Sequence, residues 1–132
     1  DIITFHLPLL PATKHMINRD SLKKLKKGVI LINTARGELF ETEALIEGIE
    51  SCKIGSLAMD VFEGEDGIYH VDLTDDIVRN RDMAYLRQFP NVVLTQHMAF
   101  YTQLSMDSMI ENSVQGLVDF NESGASRYEI KY

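Results

Sequence analysis

Arg36, Glu65 and His97 are the residues whose types and settings suggest shared chemistry. Arg36 lies in the turn Asn33-Thr34-Ala35-Arg36-Gly37, directly after the apolar run Val29-Ile30-Leu31-Ile32. In open α/β sheets ligands collect beyond the carboxyl ends of the strands, where a guanidinium can grip a carboxylate by two parallel hydrogen bonds. Taken alone, Arg36 reads equally well as a solvated loop residue in a surface salt bridge. His97 follows the run Asn91-Val92-Val93-Leu94-Thr95 and precedes a long helix. A lone histidine in such a turn is more often a structural hydrogen-bonding group. A carboxylate on one ring nitrogen changes that reading: it fixes the tautomer and leaves the other nitrogen to exchange a proton near neutral pH. Glu65 is the candidate, although it stands among acids that any surface loop would solvate.

A cation for a carboxylate and a carboxylate-backed imidazole together describe a site that interconverts a 2-keto acid and a 2-hydroxy acid. Such a site needs a hydride, and no side chain carries one, so a cofactor is implied. Phe100 and Tyr101 are placed either to wall the pocket or to pack the start of the last helix. Other constellations fail. There is no G-x-S-x-G turn, no Walker loop and no G-x-G-x-x-G fingerprint, and His6, His15, His70 and His97 lack the short spacings of a zinc site, so no metal is expected.

The elements that must position these groups alternate. Asp1 to Phe5 reads as a core strand, ending at His6, and Leu7-Pro8-Leu9-Leu10-Pro11 is an apolar loop, since two prolines exclude a helix interior and a central strand. Such a loop can cover a flat ligand such as an adenine ring, or pack on a neighbouring domain. A helix opens at Asn18 and stops at Gly28. A strand buried on both faces follows at Val29–Ile32. A second helix runs from Glu41-Thr42-Glu43 to about Ser51, and a third strand, Ile54–Met59, ends on Asp60. Then come an acidic glycine-containing loop, an irregular stretch with Asp72, Asp75 and Asp76, and a short helix around Met83 to Gln88. The fourth strand delivers His97. The last helix runs to Phe120 with Leu104, Met109, Ile110, Val114, Leu117 and Val118 at the spacing of one buried face. This alternation predicts an α/β fold with parallel strands, all carboxyl ends at one rim.

Composition sets outer bounds. The 132 residues, 45% of them hydrophobic, suit one globular core, and a net charge of −7 argues against a nucleic-acid surface. The run Lys23 to Lys27 is basic but falls at a helix end, where cations offset the dipole. Cys52 is the only cysteine and is expected to be a structural thiol. No apolar run reaches membrane-spanning length and no leader precedes the first strand, so no membrane contact and a cytoplasmic location are expected. A core strand at the first residue suggests a chain cut from something longer.

The segments HLPLLPATKHMIN, INTARGELF, AMDVFEGEDG and LTQHMAFYT resemble, in order and spacing, the second half of the NAD-binding domain of the D-isomer-specific 2-hydroxyacid dehydrogenases. The resemblance is nearest to the branch of D-lactate, D-2-hydroxyisocaproate and VanH-type enzymes. It implies an incomplete Rossmann-like parallel sheet with flanking helices over residues 1–120, followed by a connector or tail over 121–132. By that resemblance Arg36 holds the substrate carboxylate, His97 donates the proton and Glu65 pairs with it, Glu63 being the fallback. Asp60 corresponds to the residue at the nicotinamide carboxamide, Leu7 and Pro8 to the adenosine-side loop, and Thr13, Thr34, Ala35 and Arg36 to further cofactor contacts. The implied partners are NAD and a small 2-keto or 2-hydroxy acid; the sheet edge and helix faces that the missing half would cover predict self-association as a homodimer. Gln96 departs from the proline usual before the histidine, which would loosen that turn. The glycine-rich loop and ribose-binding acid are not among these residues, so weak or no NAD binding and no turnover are expected of the isolated chain. The same resemblance admits a non-catalytic scaffold or an NADH-sensing regulatory relative.

Overall fold

A computed structural model describes residues 1–72 and 79–130, so Asp75 and Asp76 lie outside the described residues. Four parallel strands, β1 (Ile2–Phe5), β2 (Val29–Asn33), β3 (Ile54–Met59) and β4 (Val92–Leu94), form one sheet in the order β1-β2-β3-β4. The helices are α1 (Arg19–Lys24), α2 (Thr42–Glu50), α3 (Arg81–Leu86) and α4 (Gln103–Ser123), with a short 3₁₀ turn at Gly37–Leu39. The chain divides into two compact units, Asp1–Met98 and Ala99–Tyr132. The boundary expected after residue 120 therefore falls inside α4.

Sequential parallel strands joined by right-handed crossovers place the connecting helices on one face of the sheet. Burial follows. Phe5, Val29, Leu31, Leu57 and Met59 point into a core shared with Leu22, Phe40, Leu45 and Leu86, whereas Ile30 and Ile32 are half-buried and Ile2 and Val93 are exposed. The expectation that β2 is buried on both faces is thus corrected: among the described residues one face is fully buried and the other, at Ile30 and Ile32, only partly. Asn18 caps α1 by accepting the Asp20 and Ser21 amides, and Gly28, at φ 75°, makes the left-handed turn into β2.

The second unit holds α4 and the segment behind it. Gly124, at φ 73°, ends α4, and Arg127 returns to pair with Asp119 at 2.7 Å. Leu104, Met109, Ile110, Val114, Leu117 and Val118 are all exposed, which corrects the expected buried face. A helical period marks an apolar side without supplying what covers it. Cys52 is exposed, at φ 55°, so the expected structural thiol is also corrected. No described helix is long and apolar enough to cross a membrane.

Candidate functional site

The last register row across the sheet is Phe5, Asn33, Met59, Leu94, one residue from each strand. Beyond it the chain leaves at His6, Thr34, Asp60 and Thr95, so the segments carrying Arg36, Glu65 and His97 rise from one rim. Neighbouring strands lie about 4.8 Å apart, which puts the β2 and β4 exits about 10 Å apart, a span two long side chains and a small acid can bridge.

Asn33 builds the Arg36 turn. Its side chain is fully buried; Nδ2 donates to Arg36 O at 2.8 Å while Oδ1 accepts the Ala35 amide at 3.0 Å. An Asx residue bonded to backbone two and three residues on is a turn-forming device, and Arg36, on this turn, is exposed at the rim with Nη1 donating to Ala35 O at 2.6 Å. Gly37 follows because a Cβ there would lie 2.1 Å from the Phe62 carbonyl carbon.

On the next loop, Glu65 Oε1 lies 2.5 Å from His97 Nδ1, and Oε2 accepts the Phe62 amide at 2.5 Å. A carboxylate oxygen accepts, so this contact assigns the Nδ1 position of the ring to the donor, with Nε2 outside the pair. Among the described residues no other side chain bonds the His97 ring. The His70 ring stands 5.8 Å from it, centroid to centroid.

His97 has φ 53°, a left-handed conformation uncommon outside glycine that persists only where its surroundings impose it. Asp60 imposes it. The Asp60 carbonyl accepts the His97 amide at 2.6 Å, and Oδ1 accepts the Met98 amide at 2.9 Å and the Thr95 hydroxyl at 2.5 Å. This buried carboxylate brackets the histidine on both sides, so the turn is fixed from Asp60 and not from Gln96, which is exposed.

Glu63 is elsewhere. Its carboxylate meets His15 and Thr42, so the His97 partner is Glu65. Leu7, Pro8, Thr34, Ala35 and Arg36 line one open groove of about 510 Å³ at the β1 and β2 exits. Thr13 is not on it; its hydroxyl donates to Pro8 O at 2.7 Å and accepts the Leu10 amide at 2.8 Å, tying the loop that forms one wall. Asp60 is not among its lining residues either. A larger concavity, about 590 Å³, lies between α1 and α2 toward Lys53 and holds none of these groups. The roles of Asn33 and of the Phe62 amide were not anticipated; an asparagine closing an apolar strand is a sequence signal for the first, and nothing in sequence marks the second.

A dinucleotide fits these residues in part. The groove offers an elongated ligand a wall of apolar and turn residues along the carboxyl rim. The helix amino ends, the usual seats for a pyrophosphate, are taken by Asn18, Glu63, Asn80 and Thr102.

Residues 1–99 match the family described as D-isomer specific 2-hydroxyacid dehydrogenase, NAD binding domain. An aromatic 2-oxoacid reductase of Clostridium sporogenes is 42% identical over 127 residues, 96% of this chain and 38% of that protein. The D-lactate dehydrogenase of Lactobacillus jensenii, solved with NAD⁺, superposes with a TM-score of 0.92 at 33% identity, over 100% of this chain and 40% of that one. The structure of D-2-hydroxyisocaproate dehydrogenase gives 0.88 at 32% identity, over 98% and 39%. This chain therefore spans about two fifths of the relatives it matches. The four-stranded Rossmann-like sheet and the matched residues agree: the chain belongs to the D-isomer-specific 2-hydroxyacid dehydrogenases, within their NAD-binding domain.

Proposed function

We propose that this chain supplies the proton-donating and carboxylate-binding side of an NAD-dependent oxidoreductase that reduces a pyruvate-like 2-keto acid to the D-2-hydroxy acid. The observation that carries this reading is the 2.5 Å pair of Glu65 and His97 on the same rim as Arg36. Arg36 binds the substrate carboxylate by paired, charge-assisted hydrogen bonds and draws electron density from the adjacent carbonyl. His97 Nε2 donates a proton to the carbonyl oxygen, and Glu65 holds the ring in place through Nδ1. When bound, the reduced nicotinamide supplies the hydride that reaches the carbonyl carbon. Leu7, Pro8, Thr13, Thr34, Ala35 and Asp60 are proposed to hold or shape the cofactor's place, Thr13 and Asp60 by fixing the loops beside it.

The rest of the proposal is a cytoplasmic homodimer in which residues 1–120 serve the cofactor half and 121–132 a connector. The half-buried second face of β2 and the exposed edge residues Ile2 and Val93 support association, which sedimentation measures. The deciding experiment follows NADH oxidation with a panel of 2-keto acids, using this chain and the complete gene product. Turnover by the complete product, abolished by His97→Ala, is expected. Absence of turnover with every acid would favour a non-catalytic scaffold.

A further inference from the structure

Glu63 stands two residues before Glu65 and is held by different partners. Its Oε1 lies 2.6 Å from His15 Nε2, while Oε2 accepts the Thr42 hydroxyl at 2.8 Å and the Thr42 amide at 3.1 Å. The carboxylate thus caps α2 from another loop, since Glu41, the residue before the helix, makes no side-chain cap. His15 is anchored in turn. Its amide donates to Glu38 O at 2.8 Å, and its backbone sits at φ 50°, a left-handed conformation that needs such support.

The peptide between Phe62 and Glu63 packs against the Gly37 turn, where there is no room for a Cβ. Its carbonyl accepts the Glu65 amide at 3.2 Å, the amide on the other side of buried Phe62 donates to Glu65 Oε2 at 2.5 Å, and the other oxygen of Glu65 meets His97 Nδ1. The start of α2 is thus linked to the imidazole by contacts and one covalent step, through Phe62 itself. From this geometry we propose that Glu63 is a positioning residue: pinned by His15 and Thr42, it fixes the Phe62 amide and through it the orientation of Glu65 and the His97 ring. Burial pushes the Glu63 carboxyl up, but the hydrogen bonds from His15 and Thr42 outweigh it and hold the group below its ordinary value, as a carboxylate engaged in fixed bonds requires.

The kinetic consequence rests on the proposed role of His97 as proton donor; the orientation of the ring does not. In the complete gene product, Glu63→Ala is expected to lower kcat about tenfold with the keto-acid KM nearly unchanged, because a misaligned donor affects the reacting atoms and not the carboxylate grip. Glu63→Gln still accepts from Thr42 and can donate to His15, so it returns most of the lost kcat. In ¹⁵N-histidine-labelled protein the His97 Nδ1–H resonance shifts or broadens in Glu63→Ala and is restored in Glu63→Gln. Should Glu63→Ala fail to fold, His15→Ala removes one leg, leaves the α2 cap, and shifts the same resonance by less. If the wild type shows no turnover, the reading of His97 fails while the resonance still decides the role of Glu63. A folded variant with an unchanged His97 resonance overturns the proposal.

Discussion

His97 Nδ1 and Glu65 Oε1 are 2.5 Å apart although 32 residues separate them, and the pair forms because β3 and β4 are adjacent in the sheet. Replacing Glu65 by Gln keeps the size of the side chain and exchanges the carboxylate that accepts from the ring for a neutral amide. Steady-state kinetics of the complete gene product should show kcat lowered about 10²-fold or more, with a smaller change in KM. A kcat within twofold of wild type would separate Glu65 from the reaction.

Arg36 is exposed at the rim, with its turn fixed by Asn33. Lysine keeps the charge but cannot present two parallel donors. Arg36→Lys is therefore expected to raise the keto-acid KM and lower kcat/KM by about 10- to 100-fold, the range of one charge-assisted hydrogen bond. Circular dichroism should report an unchanged fold.

Gly37 tests the packing between the Arg36 turn and the Glu65 loop. An added methyl would stand 2.1 Å from the Phe62 carbonyl carbon and 2.3 Å from the Glu63 amide, both backbone atoms that cannot rotate away. Gly37→Ala should cost about 1–3 kcal/mol of stability, measured by denaturant unfolding of this chain. An unchanged midpoint would show that the two loops part easily.

Stability toward acid should depend on Glu63. Its carboxyl is held below the ordinary value of 4.5, first against burial and then by His15 and Thr42, so the folded state gives up this proton more readily than the unfolded one. The contribution is present above pH about 4.5 and is lost as pH falls through the lower folded value. Thermal melts between pH 7 and pH 3 should fall more steeply for the wild type than for Glu63→Gln, and parallel curves would contradict the linkage.

The sequence carried the rim and not its fastenings. β3 runs from Ile54 to Met59 as its composition implies, and the alternation of strands and helices was enough to put the segments after Asn33, Met59 and Leu94 on one edge. Hydrophobic period and turn residues are local signals, and they survive in the fold because the core uses them. The Asp60 bracket around His97 and the bond between His15 and Glu63, 48 residues apart, are pairings made only by tertiary structure. The α4 stripe misled for the converse reason: an apolar period shows what a helix offers to bury, whereas Leu104 and Leu117 are exposed.

The central claim is that Arg36 and His97 hold opposite ends of one small 2-keto acid. The most direct measurement is a crystal structure of the complete gene product with NADH and oxamate, an unreactive analogue of pyruvate. The expected result has the oxamate carboxylate paired with the Arg36 guanidinium and its carbonyl oxygen within hydrogen-bond distance of His97 Nε2, Glu65 still on Nδ1. Oxamate bound with its carboxylate away from Arg36, or with no contact to His97, would contradict the account.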